Sequence, residues 1–219
     1  MARASVFGAN DGLVSNVSLI LGVAGANPGA SVVRLTGIAG LIAGAVSMAA
    51  GEYISMRAQT ELFERELEIE RIALERDPHF ELAELAQLYE ARGVDAETAE
   101  QMAREMMADP ERALETHARE ELGIDPSSLG SPIGAAVGSF LAFSVGAIIP
   151  LVPWFFLIGE AAVITSVILG AVSAMGIGLA LASFTHRRWW FSAGRQLLVA
   201  VVAAGITYFV GHLVGVSTA

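Results

Sequence analysis

Gly40-Leu41-Ile42-Ala43-Gly44-Ala45-Val46-Ser47-Met48-Ala49-Ala50-Gly51-Glu52-Tyr53-Ile54-Ser55-Met56 is almost wholly apolar, and the chain then turns at once to Arg57-Ala58-Gln59-Thr60-Glu61-Leu62-Phe63-Glu64-Arg65-Glu66. No proline stands between the two halves. A membrane-spanning helix is therefore expected to continue into water without a break, since a span needs about 20 apolar residues and nothing here stops the helix after them.

Outward from this junction the chain divides by charge. Twenty of the 23 carboxylates and eight of the 13 arginines lie between Arg57 and Pro126, which gives that block a net charge of −12 and leaves +2 for the remainder. The remainder is apolar enough to raise the whole chain of 219 residues to 54% hydrophobic. Five spans are read from it, at about residues 7–26, 32–56, 132–149, 154–184 and 192–216. Asn27-Pro28-Gly29 ends the first, and Pro150-Leu151-Val152-Pro153 closes the third. Asn10 and Asp11 interrupt the first apolar segment, which argues against a secretory leader there. The expected fold is all-α, a polytopic membrane protein with five transmembrane helices: residues 1–56 hold spans one and two, 57–127 an inserted acidic helical domain, and 128–219 spans three to five.

Every basic residue is arginine. In a five-span arrangement Arg3, Arg57, Arg187, Arg188 and Arg195 share one face and Arg34 lies on the other, so the N-terminus and residues 57–127 are expected to be cytoplasmic. The C-terminus, with His212, then falls on the opposite face. Small residues four apart, as at Gly8/Gly12, Gly40/Gly44, Ala174/Gly178 and Gly211/Gly215, predict close helix packing and a homodimer in lipid. The acidic balance excludes nucleic acid as a partner. With no cysteine, neither a disulfide framework nor a thiolate metal site is available.

In the acidic block, Asp77-Pro78, Asp109-Pro110 and Asp125-Pro126 read as helix starts, and Gly93 and Gly123 as stops. Three or four helices follow. Unbalanced carboxylates repel one another, so a positive ligand is expected. Glu66 and Glu70 share a helical face at i, i+4, and Glu81 and Glu84 another at i, i+3. His117, with Glu120 and Glu121 behind it, can add a nitrogen. Such a donor set suits divalent Fe²⁺ or Mn²⁺. In the spans, Asp11 and Glu52 are ionisable groups at membrane depth and therefore functional candidates. Gly40, Gly44, Met48 and Glu52 repeat every four residues on one stripe, which with Asp11 would line a cation path. Glu160, near the outer part of span four, is the third such group.

These residues resemble the vacuolar iron transporter (VIT) family. The resemblance rests on Asn10-Asp11-Gly12-Leu13, on Ala43-Gly44-Ala45-Val46-Ser47-Met48 with Gly51-Glu52-Tyr53, on Glu121-Leu122-Gly123, and on Pro150-Leu151-Val152-Pro153. It implies a dimer of five-span protomers that exports Fe²⁺ or Mn²⁺ from the cytosol in exchange for protons, with no enzymatic activity and no resident cofactor. It places the pathway at Asp11 and Met48, and cytoplasmic metal ligands at Glu70, Glu81, Glu84 and Glu121. Three departures stand out: Gly40 and Ala73 occupy positions of family glutamates, and His117-Ala118 the positions of methionines. They resemble a nodulin-like or prokaryotic branch, and Glu52 is the candidate to take over the role left by Gly40. The alternatives are a membrane metal sensor or scaffold without transport, and a membrane-anchored di-iron oxidase. The second lacks the expected Glu-x-x-His pairs. Arginine without lysine points to a biased, prokaryotic composition and so to the plasma membrane, with a vacuolar or other endomembrane if the source is eukaryotic.

Overall fold

The computed structural model describes residues 2–185 and 187–217, and the Arg3 side chain, used above for orientation, lies outside the described residues. Among the described residues every regular element is helical: α1 (Ala2–Gly25), α2 (Ala30–Arg76), α3 (Pro78–Ala91), α4 (Ala96–Met106), α5 (Pro110–Glu120), a 3₁₀ turn (Pro126–Ser128), α6 (Pro132–Leu151), α7 (Pro153–Phe156), α8 (Gly159–Thr185) and α9 (Trp189–Ser217). Five of them, in α1, α2, α6, α8 and α9, are long and apolar enough to cross a membrane. The protein is an all-α polytopic membrane protein. As the sequence at Met56-Arg57 requires, α2 is one uninterrupted helix of 47 residues. The chain separates into two compact units, Met1–Ile54 with Pro132–Ala219, and Ser55–Ser131.

In the membrane unit α1 packs against α6, α8 and α9. Glycines make these approaches possible. A β-carbon at Gly12 would collide with the Phe143 carbonyl, one at Gly146 with the Ala9 carbonyl, and one at Gly211 with the Gly22 carbonyl. Backbone contact of this kind replaces the hydrophobic drive that is missing in lipid. Three apolar clusters fill the interior among the described residues: Ile20, Val33, Leu151, Trp154 and Ala162; Ala45, Phe143 and Ala147; and Leu13, Ala174 and Ala200. Leu35, Ile54, Ile133, Phe156 and Ile158 point outward, where acyl chains rather than water are the solvent.

Pro150 does not end α6, which runs on to Leu151. The proline supplies no N–H to the preceding turn. Its own carbonyl is taken by the buried Ser166 hydroxyl of α8, which donates at 2.8 Å.

The acidic unit is punctuated as its aspartates dictate. Asp77 accepts from Phe80 N–H at 3.2 Å, Asp109 from Arg112 N–H at 2.9 Å, and Asp95, an additional cap, from Thr98 N–H at 3.1 Å. Gly93 and Gly123 adopt φ of 95° and 66°, the left-handed stop that glycine takes without strain. Asp125-Pro126 starts only a 3₁₀ turn that ends at Ser128, in correction of the expected helix: Ser127-Ser128-Leu129-Gly130-Ser131 is poor in helix formers. Leu85, Ala86, Tyr89, Ala99 and Ala103 form the core between α3 and α4.

Candidate functional site

In the acidic unit, α5 turns a narrow buried face inward that consists of Ala113, His117 and Ala118. His117 occupies an apolar position on that face and is completely buried. Its Nδ1 lies 3.0 Å from Glu70 Oε1, 3.5 Å from Glu121 Oε2 and 3.9 Å from Glu81 Oε2. Glu70 comes from α2, Glu81 from the first turn of α3, and Glu121 from the C-cap of α5. Ligand atoms of Glu70, His117 and Glu121 lie within 4.8 Å of one another.

The cluster is electrostatically unsatisfied. Both His117 nitrogens and Glu70 Oε1 are buried, and the 3.0 Å approach of Nδ1 to Oε1 does not have the geometry of a hydrogen bond, although burial of such atoms normally demands one. Burial raises the Glu70 carboxyl from 4.5 to about 7, and the neighbouring Glu121, Glu81 and Glu84 carboxylates push it the same way. Glu81 is raised as well, first by burial and then by Glu84, Glu121 and Asp77, against the opposing effect of His117. Glu121 sits where the C-terminal end of a helix repels an anion. A cation placed among these oxygens and the imidazole would relieve each of these penalties at once.

Of the acidic-unit residues singled out from sequence, Glu70, Glu81, His117 and Glu121 converge, and Glu84 contributes its charge nearby. Glu66 lies outside the group. Glu120 is held by Arg92, whose Nη1 donates to its Oε2 and whose Nη2 donates to its backbone carbonyl at 3.2 Å. A helix places residues 120 and 121 about 100° apart, so only one of them can face inward beside His117.

The membrane unit holds a separate cleft of ≈ 310 Å³ in which Asp11, Ser15 and Asn16 of α1 face Gly40, Gly44 and Met48 of α2. Ser15 donates its hydroxyl to the Asp11 carbonyl at 2.5 Å, and buried Asn16 donates to the Ala147 carbonyl at 2.6 Å. This leaves Asn16 Oδ1 without a partner. A β-carbon at Gly40 would lie 3.0 Å from that oxygen and would collide with Leu19. Where the stripe lacks a glutamate, Asn16 and Leu19 thus occupy the room. Glu52, four residues beyond Met48, is half-buried and does not line the cleft.

Asn16 escaped the sequence reading, and so did Gln196 of α9, which donates Nε2–H to Asn10 Oδ1. Each is an amide within an apolar helix, and that was the available signal.

Fold and sites together define a polytopic helical membrane protein with an acidic unit built around a buried carboxylate–imidazole cluster. The model of the VIT family matches residues 2–212. The chain belongs to that family. It is 38% identical over 217 residues to a vacuolar iron transporter of Acanthamoeba castellanii, covering 96% of this chain and 77% of that protein. It is 34% identical over 210 residues to vacuolar iron transporter homolog 5 of Oryza sativa subsp. japonica, covering 94% and 76%. With vacuolar iron transporter 1 of Eucalyptus grandis the identity is 28% over 209 residues, covering 95% and 84%.

Proposed function

We propose that this protein transports divalent metal, Fe²⁺ or Mn²⁺, out of the cytosol in exchange for protons, acting as a homodimer with residues 57–127 in the cytoplasm. The observation that carries the reading is the buried cluster of Glu70, Glu81, His117 and Glu121, with His117 Nδ1 3.0 Å from Glu70 Oε1 and no hydrogen bond to either His117 nitrogen. The names of the relatives supply the direction of the argument, from metal binding to metal transport.

In this reading the acidic unit captures the cation. Oxygen and imidazole ligands suit borderline divalent ions, and capture displaces a proton from Glu70, because metal and proton compete for the same carboxylate. Asp11 and Met48 then receive the ion in the membrane unit, where Ser15 and Asn16 offer further oxygens. Met48 also packs against the cluster of Ala45, Phe143 and Ala147 and lines the cleft beside Phe143. Affinity at each stage stays moderate, since an ion held too firmly does not leave.

Proteoliposomes containing a metal-quenched dye test the proposal. Wild type quenches the dye when Fe²⁺ or Mn²⁺ is added under an imposed pH gradient, whereas Asp11→Ala and Met48→Ala do so at least about tenfold more slowly. Metal binding without any flux would instead identify a sensor or scaffold.

A further inference from the structure

His117 supplies the one nitrogen among the four side chains that converge in the acidic unit, and its neighbours stand at telling distances. Donor atoms that share one cation at bonds of about 2.1 Å lie about 3.0 Å apart in an octahedral shell and about 3.4 Å apart in a tetrahedral one. Glu70 Oε1 and Glu121 Oε2 are 3.0 and 3.5 Å from His117 Nδ1, and Glu81 Oε2 is slightly further out at 3.9 Å. None of these carboxylates forms a hydrogen bond with the ring. Their spacing is that of ligands around a common centre.

All three carboxylates approach the same nitrogen. When Nδ1 holds a cation, the proton of the neutral ring is on Nε2, which is buried with no acceptor. A metal-bound imidazole ordinarily donates that N–H to an oxygen, which raises its basicity. Without one, His117 is a moderate donor that adds preference among ions and little extra grip. The ring is reached past Glu121, whose side chain is 32% exposed, against 9% for Glu70 and Glu81 and none for His117. An ion therefore meets the nitrogen only after giving up water, a step that Mg²⁺ resists.

Oxygen donors alone suit Mg²⁺, Ca²⁺ and Mn²⁺, whereas imidazole suits iron and the later first-row ions, and affinity for a given site rises from Mn²⁺ through Fe²⁺ to Co²⁺. We infer that His117 is the selectivity-determining residue of the acidic unit: its Nδ1 makes the cluster prefer Fe²⁺ over Mn²⁺ and reject Mg²⁺ and Ca²⁺. The inference rests on the capture reading given above and narrows it from either ion to Fe²⁺ first. In this role the nitrogen ranks the ions, and the carboxylates supply the charge that holds any of them.

Competition on full-length protein in detergent tests the assignment without requiring transport. Mn²⁺ is bound, which removes its sharp paramagnetic resonance signal, and is then displaced by Fe²⁺ without oxygen, by Co²⁺ as the air-stable stand-in, or by Mg²⁺. Wild type is expected to bind Fe²⁺ and Co²⁺ at least about tenfold more tightly than Mn²⁺, and an excess of Mg²⁺ of about a hundredfold is expected to displace little. His117→Gln puts an amide oxygen in place of the nitrogen. It is expected to bind Mn²⁺ within about threefold of wild type and to lose most of the preference for Fe²⁺ and Co²⁺. A second measurement needs no variant: the spin echo of one equivalent of Mn²⁺ bound to wild type is expected to carry the nitrogen modulation of a coordinated imidazole. Wild type without discrimination, a folded His117→Gln protein that keeps it, or a wild-type echo without nitrogen coupling overturns the assignment. Protein that binds none of Mn²⁺, Fe²⁺ and Co²⁺ would refute the capture reading and the assignment with it. Wild-type vesicles that move no metal would refute transport alone, and the competition would still decide whether His117 ranks the ions.

Discussion

Replacing Glu70 by glutamine should stabilise the metal-free protein at neutral and alkaline pH while crippling the proposed metal site. The carboxyl is raised from 4.5 to about 7 by burial and by Glu121, Glu81 and Glu84. Its folded-state value thus exceeds its unfolded one, and the folded protein binds the extra proton between these limits. Stability contributed by that proton is complete below about pH 4.5 and is lost as pH rises through about 7. With screening by nearby water allowed for, a carboxyl raised from 4.5 to about 7 carries a penalty of about 1–3 kcal/mol in its ionised form at pH 8. Glutamine carries no charge at any pH and so escapes the penalty. In a unit of this size, thermal unfolding followed by circular dichroism should show a rise on the order of 10 °C for Glu70→Gln at pH 8. At pH 4.5 the two proteins should differ little. Added Mn²⁺ should reverse the order, because it stabilises wild type by mass action and the variant far less. A Glu70→Gln protein that is less stable than wild type at pH 8, or whose advantage is the same at both pH values, would refute the account of an electrostatically strained cluster.

Three further outcomes follow from the geometry. Glu121→Ala should weaken Mn²⁺ binding at least about tenfold in calorimetric titration, whereas Glu120→Ala should leave it unchanged and cost under about 1 kcal/mol, because the Arg92–Glu120 pair is a partly exposed ion pair. Gly146→Val should destabilise the membrane unit by about 1–3 kcal/mol or more, seen as a lower unfolding temperature in detergent, since its side chain meets the Ala9 carbonyl and the Leu13 amide nitrogen, both backbone atoms. Asp109→Ala should cost about 1 kcal/mol by removing the α5 cap, and Asp109→Asn should recover most of that loss in the same denaturation experiment.

The spans and helix boundaries were legible because their causes are local. Apolar length marks α1, α2, α6, α8 and α9, aspartates mark the starts of α3 and α5, and Gly93 and Gly123 mark stops. The Pro150-Leu151-Val152-Pro153 stop was legible in the same way, since α6 ends at Leu151; what the sequence did not show is that the Pro150 carbonyl is taken by the Ser166 hydroxyl 16 positions away. The cluster was legible in composition but not in membership. Glu120 and Glu121 are adjacent in sequence and equally acidic, and only the position of Arg92 at the end of α3 decides which of them is engaged elsewhere. His117 followed the same logic, since its burial depends on the two alanines that share its face of α5.

The caps of the acidic unit have a consequence for how the protein can change. Asp77, Asp95, Asp109 and Asp125 are bound to backbone N–H groups, and the Leu85 core holds α3 to α4 without help from Glu70, Glu81, His117 or Glu121. Folding and coordination are thus written in different residues. Substitutions at the four positions proposed to coordinate metal can explore other ions, in nature or in the laboratory, on a scaffold whose own instructions stay intact. Loss of the Glu70 charge relieves the fold rather than burdening it, so at that position selectivity is free to drift faster than structure.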